Sequence, residues 1–330
     1  MAPGGTWHRL VHEVPVDPRR RIVDAQHHLW REKGGAHPRA AYRHDQLLAD
    51  IAGHNVVGTV YMESGAGMRR DGPQEMRGVA ETEFAAAEAL RSAATRAPIA
   101  GIIAGADLRL GERLNDVLDA HAVAGQGLLR GIRQRHDRLG QDAGYNLLVD
   151  PAVRPAVRLL GKRDYSFDAF AIFSRLGNLA SLARAVPDTA FVLLHSGVPL
   201  TNGEYGPRDE VMRIWRRGMV AAASCPNIVL KLGGIGMDSL YDTDWSKRER
   251  PPTSDEVVAR WSDDIRFCID TFGPLRCMFE SNYPVDSEGI GYTVLWNAFQ
   301  KIAASYSDSE QDAMFAGTAI QTYRLDGLHA

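Results

Sequence analysis

His28, His195 and Asn282 are the residues whose types and positions best suit them to chemistry. Each ends a short apolar run of the sequence. An imidazole accepts and donates protons near neutral pH, while an amide orients a water molecule or an oxyanion but does not act as a base. These three residues are therefore candidates for one catalytic centre, provided that the fold brings them together.

Three charged residues are further catalytic candidates. Glu63 ends another apolar run just before Ser-Gly-Ala-Gly, and it is either a general base or a structural carboxylate. Glu280 lies two residues before Asn282, so alternation along a strand would place both on one face. Lys231 lies on a neighbouring run, where it could pair with Glu280. A buried pair of this kind either tunes a proton-transfer group or only fills the interior.

Five other residues are candidates for substrate binding. Arg130 and Arg133 occupy one run, and a guanidinium group holds a carboxylate through two hydrogen bonds. We expect Arg133 to do so, and Arg130 to lie at the surface or to support it. Gln26 lies two residues before the first candidate histidine. Trp30 and Tyr283 follow run ends, where they either wall the pocket or pack under loops.

Other polar residues and the glycine clusters are expected to be structural. We expect Asp24 to hold the histidine of the first strand or a loop, and His27 to turn away from the pocket by alternation. The glycines within 65–67 and 233–236 lack the GxGxxG pattern of dinucleotide sites. No GxSxG motif occurs, so a serine-hydrolase mechanism has no support.

Strand-like and helix-like segments alternate along the chain. Apolar, β-branched runs predict eight strands, over residues 22–28, 56–63, 99–106, 128–133, 165–170, 190–195, 227–232 and 277–282. Helical periodicity predicts helices at 45–53, 74–94, 112–123, 152–160, 177–185, 208–223, 254–272 and 291–304. Ser307 and Glu310 have capping-box spacing for a ninth helix.

Eight strand–helix units favour a closed (β/α)8 TIM barrel over the alternative, an open doubly wound sheet. We expect an N-terminal arm at residues 1–20 and a single catalytic barrel domain at 21–330. In such barrels the catalytic groups lie at the carboxyl ends of the strands and in the loops that follow. The fold therefore predicts that the candidate residues meet at one end of the barrel.

Composition limits the classes of function. The chain has 330 residues, 24% of them charged, a net charge of −3 and no long basic run, so neither nucleic acid nor a membrane surface is an expected partner. No apolar stretch of about 18 residues predicts a membrane span. The three cysteines, Cys225, Cys268 and Cys277, form no CxxC motif, which favours reduced thiols and a cytoplasmic location. A small-molecule substrate is expected, and assembly as a homo-oligomer stays open.

Four segments resemble motifs of the amidohydrolase superfamily, and more narrowly of its lactonase-like "amidohydrolase 2" branch. The segment DAQHHLW at 24–30 resembles the opening DxHxHxW motif, and RGIR at 130–133 resembles an internal motif. The segment FVLLHSGVP at 191–199 resembles (V/L)xDHxGxP, and MFESNYPVD at 278–286 resembles the closing MFGSDWPV. The matches follow the order of the family from residue 22 to about residue 324, so together they are specific.

The resemblance implies a (β/α)8 barrel and a small, oxygen-rich, carboxylated substrate. Members of the branch open sugar lactones and pyrone-dicarboxylate lactones, and related enzymes are decarboxylases. Two positions depart from the metal-binding pattern: Gln26 stands where the family has a histidine, and Asn282 where it has an aspartate. Neutral amides are poor ligands for a divalent metal. We therefore expect no cofactor, or a weakly held metal such as zinc on His28 and His195.

Three hypotheses follow. In the first, the protein is a metal-independent hydrolase that opens a lactone or a related cyclic ester or amide. His28 and His195 polarise the carbonyl group or shuttle protons, Asn282 orients the water or oxyanion, and an arginine anchors a carboxylate. The second is a carbon–carbon lyase or decarboxylase that uses the same pocket. The third is a barrel that binds a ligand without turnover.

Overall fold

The computed structural model describes residues 5–31, 41–134 and 145–328. Its centre is one sheet of eight parallel strands in sequential order. The strands are β1 Arg21–His27, β2 Asn55–Met62, β3 Ile99–Gly105, β4 Leu129–Arg133, β5 Ser166–Ala169, β6 Phe191–Leu193, β7 Ile228–Leu232 and β8 Cys277–Phe279.

The first and last strands meet just beyond the end of β8. His27 and Tyr283 form a parallel bridge. The backbone N–H of His28 donates to the carbonyl oxygen of Tyr283 at 2.7 Å, and the backbone N–H of Asn282 donates to the carbonyl oxygen of Gln26 at 2.9 Å. These bonds bring the sheet close to a complete ring. The predicted (β/α)8 barrel is confirmed, and the open-sheet alternative is wrong.

Helices separate the strands and cover the outside of the barrel. They are α1 Gly5–His8, α2 His44–Asp50, α3 Val79–Ser92, α4 Leu114–Ala124, α5 Val153–Lys162, α6 Leu176–Ala185, α7 Arg208–Ala223, α8 Ser254–Phe272, α9 Tyr292–Ala303, α10 Asp308–Asp312 and α11 Thr318–Tyr323. The helix predicted at 74–94 begins only at Val79, after a short 3₁₀ turn. Among the described residues, no helix is both long enough and apolar enough to cross a membrane.

The C-terminal part of the chain packs across the amino-terminal end of the barrel. The capping box predicted at its start is confirmed, because Ser307 and Glu310 exchange side-chain hydrogen bonds with each other's backbone N–H. Tyr323 and Leu325 join the inward-facing apolar cluster of the strands, and a Cβ on Gly101 would lie 3.0 Å from Leu325. The opposite, carboxyl-terminal end is therefore the end available for a site.

Strands β6 and β8 end two and three residues earlier than predicted, and this changes how the site is built. β6 ends at Leu193 and β8 at Phe279, so His195 and Asn282 lie in the loops that follow. Both have left-handed backbone conformations, with φ of 53° and 52°. Few non-glycine residues adopt such angles. The two side chains are therefore positioned by sharp turns rather than by the regular pleat of a strand.

Candidate active site

A cavity of about 960 Å³ lies at the carboxyl-terminal end of the barrel. Its wall includes five of the predicted site residues: His28, Glu63, Arg133, His195 and Asn282. They come from five different strand–loop junctions, so the fold brings together residues far apart in sequence. A cavity of this size suits a small organic molecule.

His195 and Glu280 form a buried pair at this cavity. His195 Nδ1 lies 2.6 Å from Glu280 Oε1, and the same oxygen accepts the backbone N–H of His195 at 3.2 Å. With Nδ1 donating to the carboxylate, Nε2 is the nitrogen left to exchange a proton, and it has no hydrogen-bond partner among the described residues. Phe170 packs against the ring in an edge-on contact. This is the arrangement of a histidine acid–base group oriented by a carboxylate.

The charges around Glu280 keep it ionised. Burial raises the pKa of its carboxyl group, but the charge and hydrogen bond of His195, together with the charge of Lys231, outweigh burial and bring the pKa below its usual value. A carboxylate at this position stabilises the positive charge that His195 acquires when it takes up a proton.

Two glycines after β7 make room for this pair. A Cβ on Gly234 would lie 2.6 Å from the ring of His195, and one on Gly233 would lie 2.4 Å from Glu280 Cγ. Gly234 also has φ +68°. From the sequence we expect only structural glycines here. In the structure, the absence of a side chain at both positions lets the backbone lie close to the His195–Glu280 pair. The Gly-Gly sequence directly after a strand could have indicated such a close approach.

His28 has different partners. Its Nδ1 lies 2.8 Å from the carbonyl oxygen of Met62, and its Nε2 lies 3.0 Å from Asn282 Oδ1. Both ring nitrogens face oxygen acceptors, so the doubly protonated ring is the form that satisfies both. Asn282 Nδ2 in turn donates to Asp286 Oδ1 at 2.7 Å. Asp286 is a residue that the sequence reasoning missed.

Gln26 and Lys231 lie beneath His28, fully buried. Gln26 Nε2 donates to Asn282 Oδ1 at 3.1 Å, and Lys231 Nζ donates to Gln26 Oε1 at 3.2 Å. Lys231 forms its ion pair with Asp168 at 3.3 Å, whereas Glu280, the partner expected from the sequence, pairs with His195. Glu280 lies just after the end of β8, towards the carboxyl-terminal end of the barrel, so its side chain reaches the loop that carries His195. Neither Gln26 nor Lys231 lines the cavity.

Glu63 and Arg133 form a second charged pair in the cavity wall. Arg133 Nε donates to Glu63 Oε1 at 2.6 Å, and Arg133 Nη2 donates to the Glu63 carbonyl oxygen. Arg133 Nη1 has no hydrogen-bond partner in the described part of the chain, and Arg133 lines the cavity. Nearby, Glu81 accepts the backbone N–H groups of Ser64 and Gly65 and fixes the loop after β2.

Three other predicted residues do not line the cavity. Arg130 lies at the opposite end of β4, where Nη1 donates to the Gly127 carbonyl oxygen at 2.6 Å. Trp30 is buried and packs against Tyr42. Tyr283 is buried, and its hydroxyl group donates to the carbonyl oxygen of Ile290 at 3.0 Å. All three have structural surroundings: Trp30 and Tyr283 are packed in the interior, and Arg130 is held by backbone carbonyl groups at and before the start of β4.

Comparisons with known proteins agree with this fold. The sequence profile of the amidohydrolase family matches residues 23–325. The uncharacterised protein y4mH of Sinorhizobium fredii is 28% identical over 327 residues, which cover 92% of this chain and 98% of the relative. L-fucono-1,5-lactonase of Burkholderia multivorans is 25% identical over 306 residues, which cover 92% and 96%. An amidohydrolase structure from the same species, with bound zinc, superposes with a TM-score of 0.73 at 23% identity, over 92% of this chain and 99% of that one.

The residues at the family's metal position do not fit a divalent metal. Within residues 5–31, 41–134 and 145–328, no group of three His, Cys, Asp or Glu side chains is arranged to hold one. Gln26 and Asn282 hydrogen-bond to each other, and the ammonium group of Lys231 lies 3.2 Å from Gln26 Oε1. A second cation at this place would meet two neutral amides and the repulsion of Lys231.

Proposed function

This chain belongs to the amidohydrolase family, and from that premise we propose that it is a metal-independent hydrolase of the lactonase type. Its substrate would be a lactone or related cyclic ester of a small carboxylated molecule. The observation that carries the proposal is the carboxylate-backed His195 at the wall of the cavity. The likeness to an L-fucono-1,5-lactonase supports a lactone as the substrate class.

In the proposed reaction, His195 acts as general base and then as general acid. Nε2 accepts a proton from water while the water oxygen bonds to the acyl carbon, and the carbonyl group becomes an oxyanion. Collapse of this intermediate breaks the bond from the acyl carbon to the ring oxygen. The proton on Nε2 passes to that oxygen, so the product is a hydroxy acid and His195 returns to its starting form.

Positive groups around the cavity supply the charge that the reaction needs. His28, with both ring nitrogens donating, provides a positive field beside the position of the oxyanion. Arg133 Nη1 is suited to hold a carboxylate or ring oxygen of the substrate, since the rest of its guanidinium group is fixed by Glu63. Because Gln26, Asn282 and Lys231 do not suit a metal, no step of this mechanism uses one.

A panel of 1,4- and 1,5-aldonolactones and carboxylated lactones tests the proposal. We expect ring opening, followed by proton release and by NMR of the hydroxy acid, in protein that holds less than one zinc per chain. Release of CO₂ without ring opening would point to the decarboxylase alternative, and binding without turnover to the non-catalytic one. Stoichiometric zinc that survives a chelator would contradict the metal-independent mechanism.

A further inference from the structure

A directed set of hydrogen bonds runs below the pocket, and we name it the amide relay. Lys231 Nζ donates to Gln26 Oε1, Gln26 Nε2 donates to Asn282 Oδ1, and the same oxygen faces His28 Nε2. An amide side chain can be turned end for end by exchanging its oxygen and nitrogen. The direction of the hydrogen bonds is therefore set only if a group at one end of the relay can act solely as a donor or solely as an acceptor.

Lys231 is the end that fixes the direction. Its nitrogen has N–H bonds to offer, whereas a reversed Gln26 would turn its own N–H donors towards this ammonium group. Burial lowers the pKa of Lys231, but the carboxylates of Asp168 and Glu280 act against burial. Asp168 is itself held by Tyr323, whose hydroxyl group donates to Oδ2 at 2.6 Å.

The other end of the relay does not fix the direction by itself. Asn282 Nδ2 donates to Asp286 Oδ1 at 2.7 Å. Burial raises the pKa of Asp286 well above its usual value. Burial therefore favours the protonated carboxyl group, which donates as well as accepts and, unlike the ammonium group of Lys231, does not demand one orientation of the Asn282 amide.

We infer that Lys231 is a positioning residue: through Gln26 it makes Asn282 present its carbonyl oxygen to His28, which keeps a proton on His28 Nε2. The catalytic consequence rests on the proposed hydrolase function, whereas the hydrogen-bond direction does not. Lys231 is fully buried and does not line the cavity, so it does not touch a substrate and reaches His28 through this relay.

Nitrogen NMR of ¹⁵N-histidine-labelled protein tests the direction without any substrate. In the unchanged protein we expect His28 Nε2 to carry a proton. In Lys231→Met the relay loses its fixed end, so the His28 Nε2 signal moves towards that of a nitrogen without a proton. Tyr323→Phe is the matched control, because it removes a hydrogen bond to Asp168 and leaves Lys231 in place. We expect no change at His28 in the control.

A second variant covers the case in which Lys231→Met does not fold. Removing Lys231 alone leaves Asp168 buried without its cation, which is strongly destabilising. The double variant Lys231→Met/Asp168→Asn removes both charges and is expected to give the same change at His28. A His28 Nε2 without a proton in the unchanged protein overturns the inference. So does an unchanged signal in every folded Lys231 variant.

Kinetics then separate positioning from general structure. We expect Lys231→Met to lower kcat by about tenfold and to leave KM within about twofold, because Lys231 does not touch the substrate. In a Gln26→Met background, Lys231→Met should lower kcat less than it does in the unchanged protein, since both changes interrupt one relay and only the effect of Lys231 on Glu280 remains. Additive losses would contradict the relay. If the NMR result holds but no lactone is turned over, the proposed function fails and the relay stands.

Discussion

The two histidines of the pocket differ in what stands behind them. His195 Nδ1 faces the carboxylate of Glu280, while His28 Nδ1 faces the backbone carbonyl oxygen of Met62. His28 has a second acceptor, Asn282, at Nε2. His195 Nε2 has no such partner in the described residues. Two histidines of comparable burial thus differ in their partners: one has a carboxylate and an open nitrogen, and the other has an oxygen acceptor at each nitrogen.

The different partners of the two histidines separate proton transfer from charge stabilisation within one pocket. A histidine with a carboxylate behind it gains stability when it takes up a proton, and its open nitrogen exchanges that proton with a substrate. A histidine between two oxygen acceptors holds its protons, so it contributes charge and position. We therefore assign proton transfer to His195 and a fixed positive field to His28.

The largest expected effect separates the two histidines directly. His195→Ala should lower kcat on the order of 10³-fold or more, because it removes the proton-transfer group. His28→Ala should lower it only about 10- to 100-fold, because the ring acts through its field. Steady-state kinetics on an active lactone give both values.

A buried histidine outside the pocket serves as the control for this pair. His54 is buried and packs against Tyr292, and it does not line the cavity. His54→Ala should affect stability but change kcat by less than about threefold. Equal losses for His195→Ala and His28→Ala would break the assignment of separate roles.

The position of the His195 ring should depend on its neighbouring glycine. Gly234→Ala should lower kcat by about 10²-fold, because the added Cβ would lie 2.6 Å from the His195 ring and displace it. Gly203→Ala is the matched control: Gly203 also has a positive φ, +88°, but nothing lies within 4 Å of the added Cβ.

Both alanine variants carry a backbone cost of roughly 1–2 kcal/mol, which thermal unfolding will register. Only Gly234→Ala should lose activity. Similar activity in the two variants would mean that the position of His195 does not depend on this close approach.

The sequence predicts the barrel and the meeting of the candidate residues, but not their pairing. Strand count and order follow from apolar runs, because each strand buries its own face. Which carboxylate reaches Lys231 depends on depth within the barrel, and β8 ends at Phe279 rather than at residue 282. Left-handed turns at His195 and Asn282 have no periodic signal in the sequence. The roles of Asp286 and Gly234 become visible only when the neighbouring loops are placed in space.

The carboxyl groups of Asp24, near His28, and Glu280, beside His195, should affect the stability of the protein differently as the pH changes. This is the smallest of the effects that we expect. Asp24 lies on the His28 side, where Oδ1 accepts the backbone N–H of Ser281 at 2.8 Å and Oδ2 accepts the hydroxyl group of Tyr292 at 3.1 Å. Within the described part of the chain no cation pairs with it, and burial raises its pKa to about 6 from an ordinary 3.8. Glu280, beside His195 and Lys231, has its pKa lowered instead.

The raised pKa of Asp24 and the lowered pKa of Glu280 change the free energy of unfolding in opposite directions as the pH rises. The contribution of Asp24 is complete below pH 3.8 and is lost as the pH rises through about 6, whereas that of Glu280 is present above 4.5 and is lost as the pH falls through its lowered value. Asp24→Asn should therefore remove a loss of about 2 kcal/mol in unfolding free energy between pH 4 and 7, with kcat nearly unchanged. Urea unfolding at several pH values measures this. A wild-type protein whose stability falls no more steeply than that of Asp24→Asn over this range would show that Asp24 keeps an ordinary pKa, and the contrast between the two sides would then rest on the histidines alone.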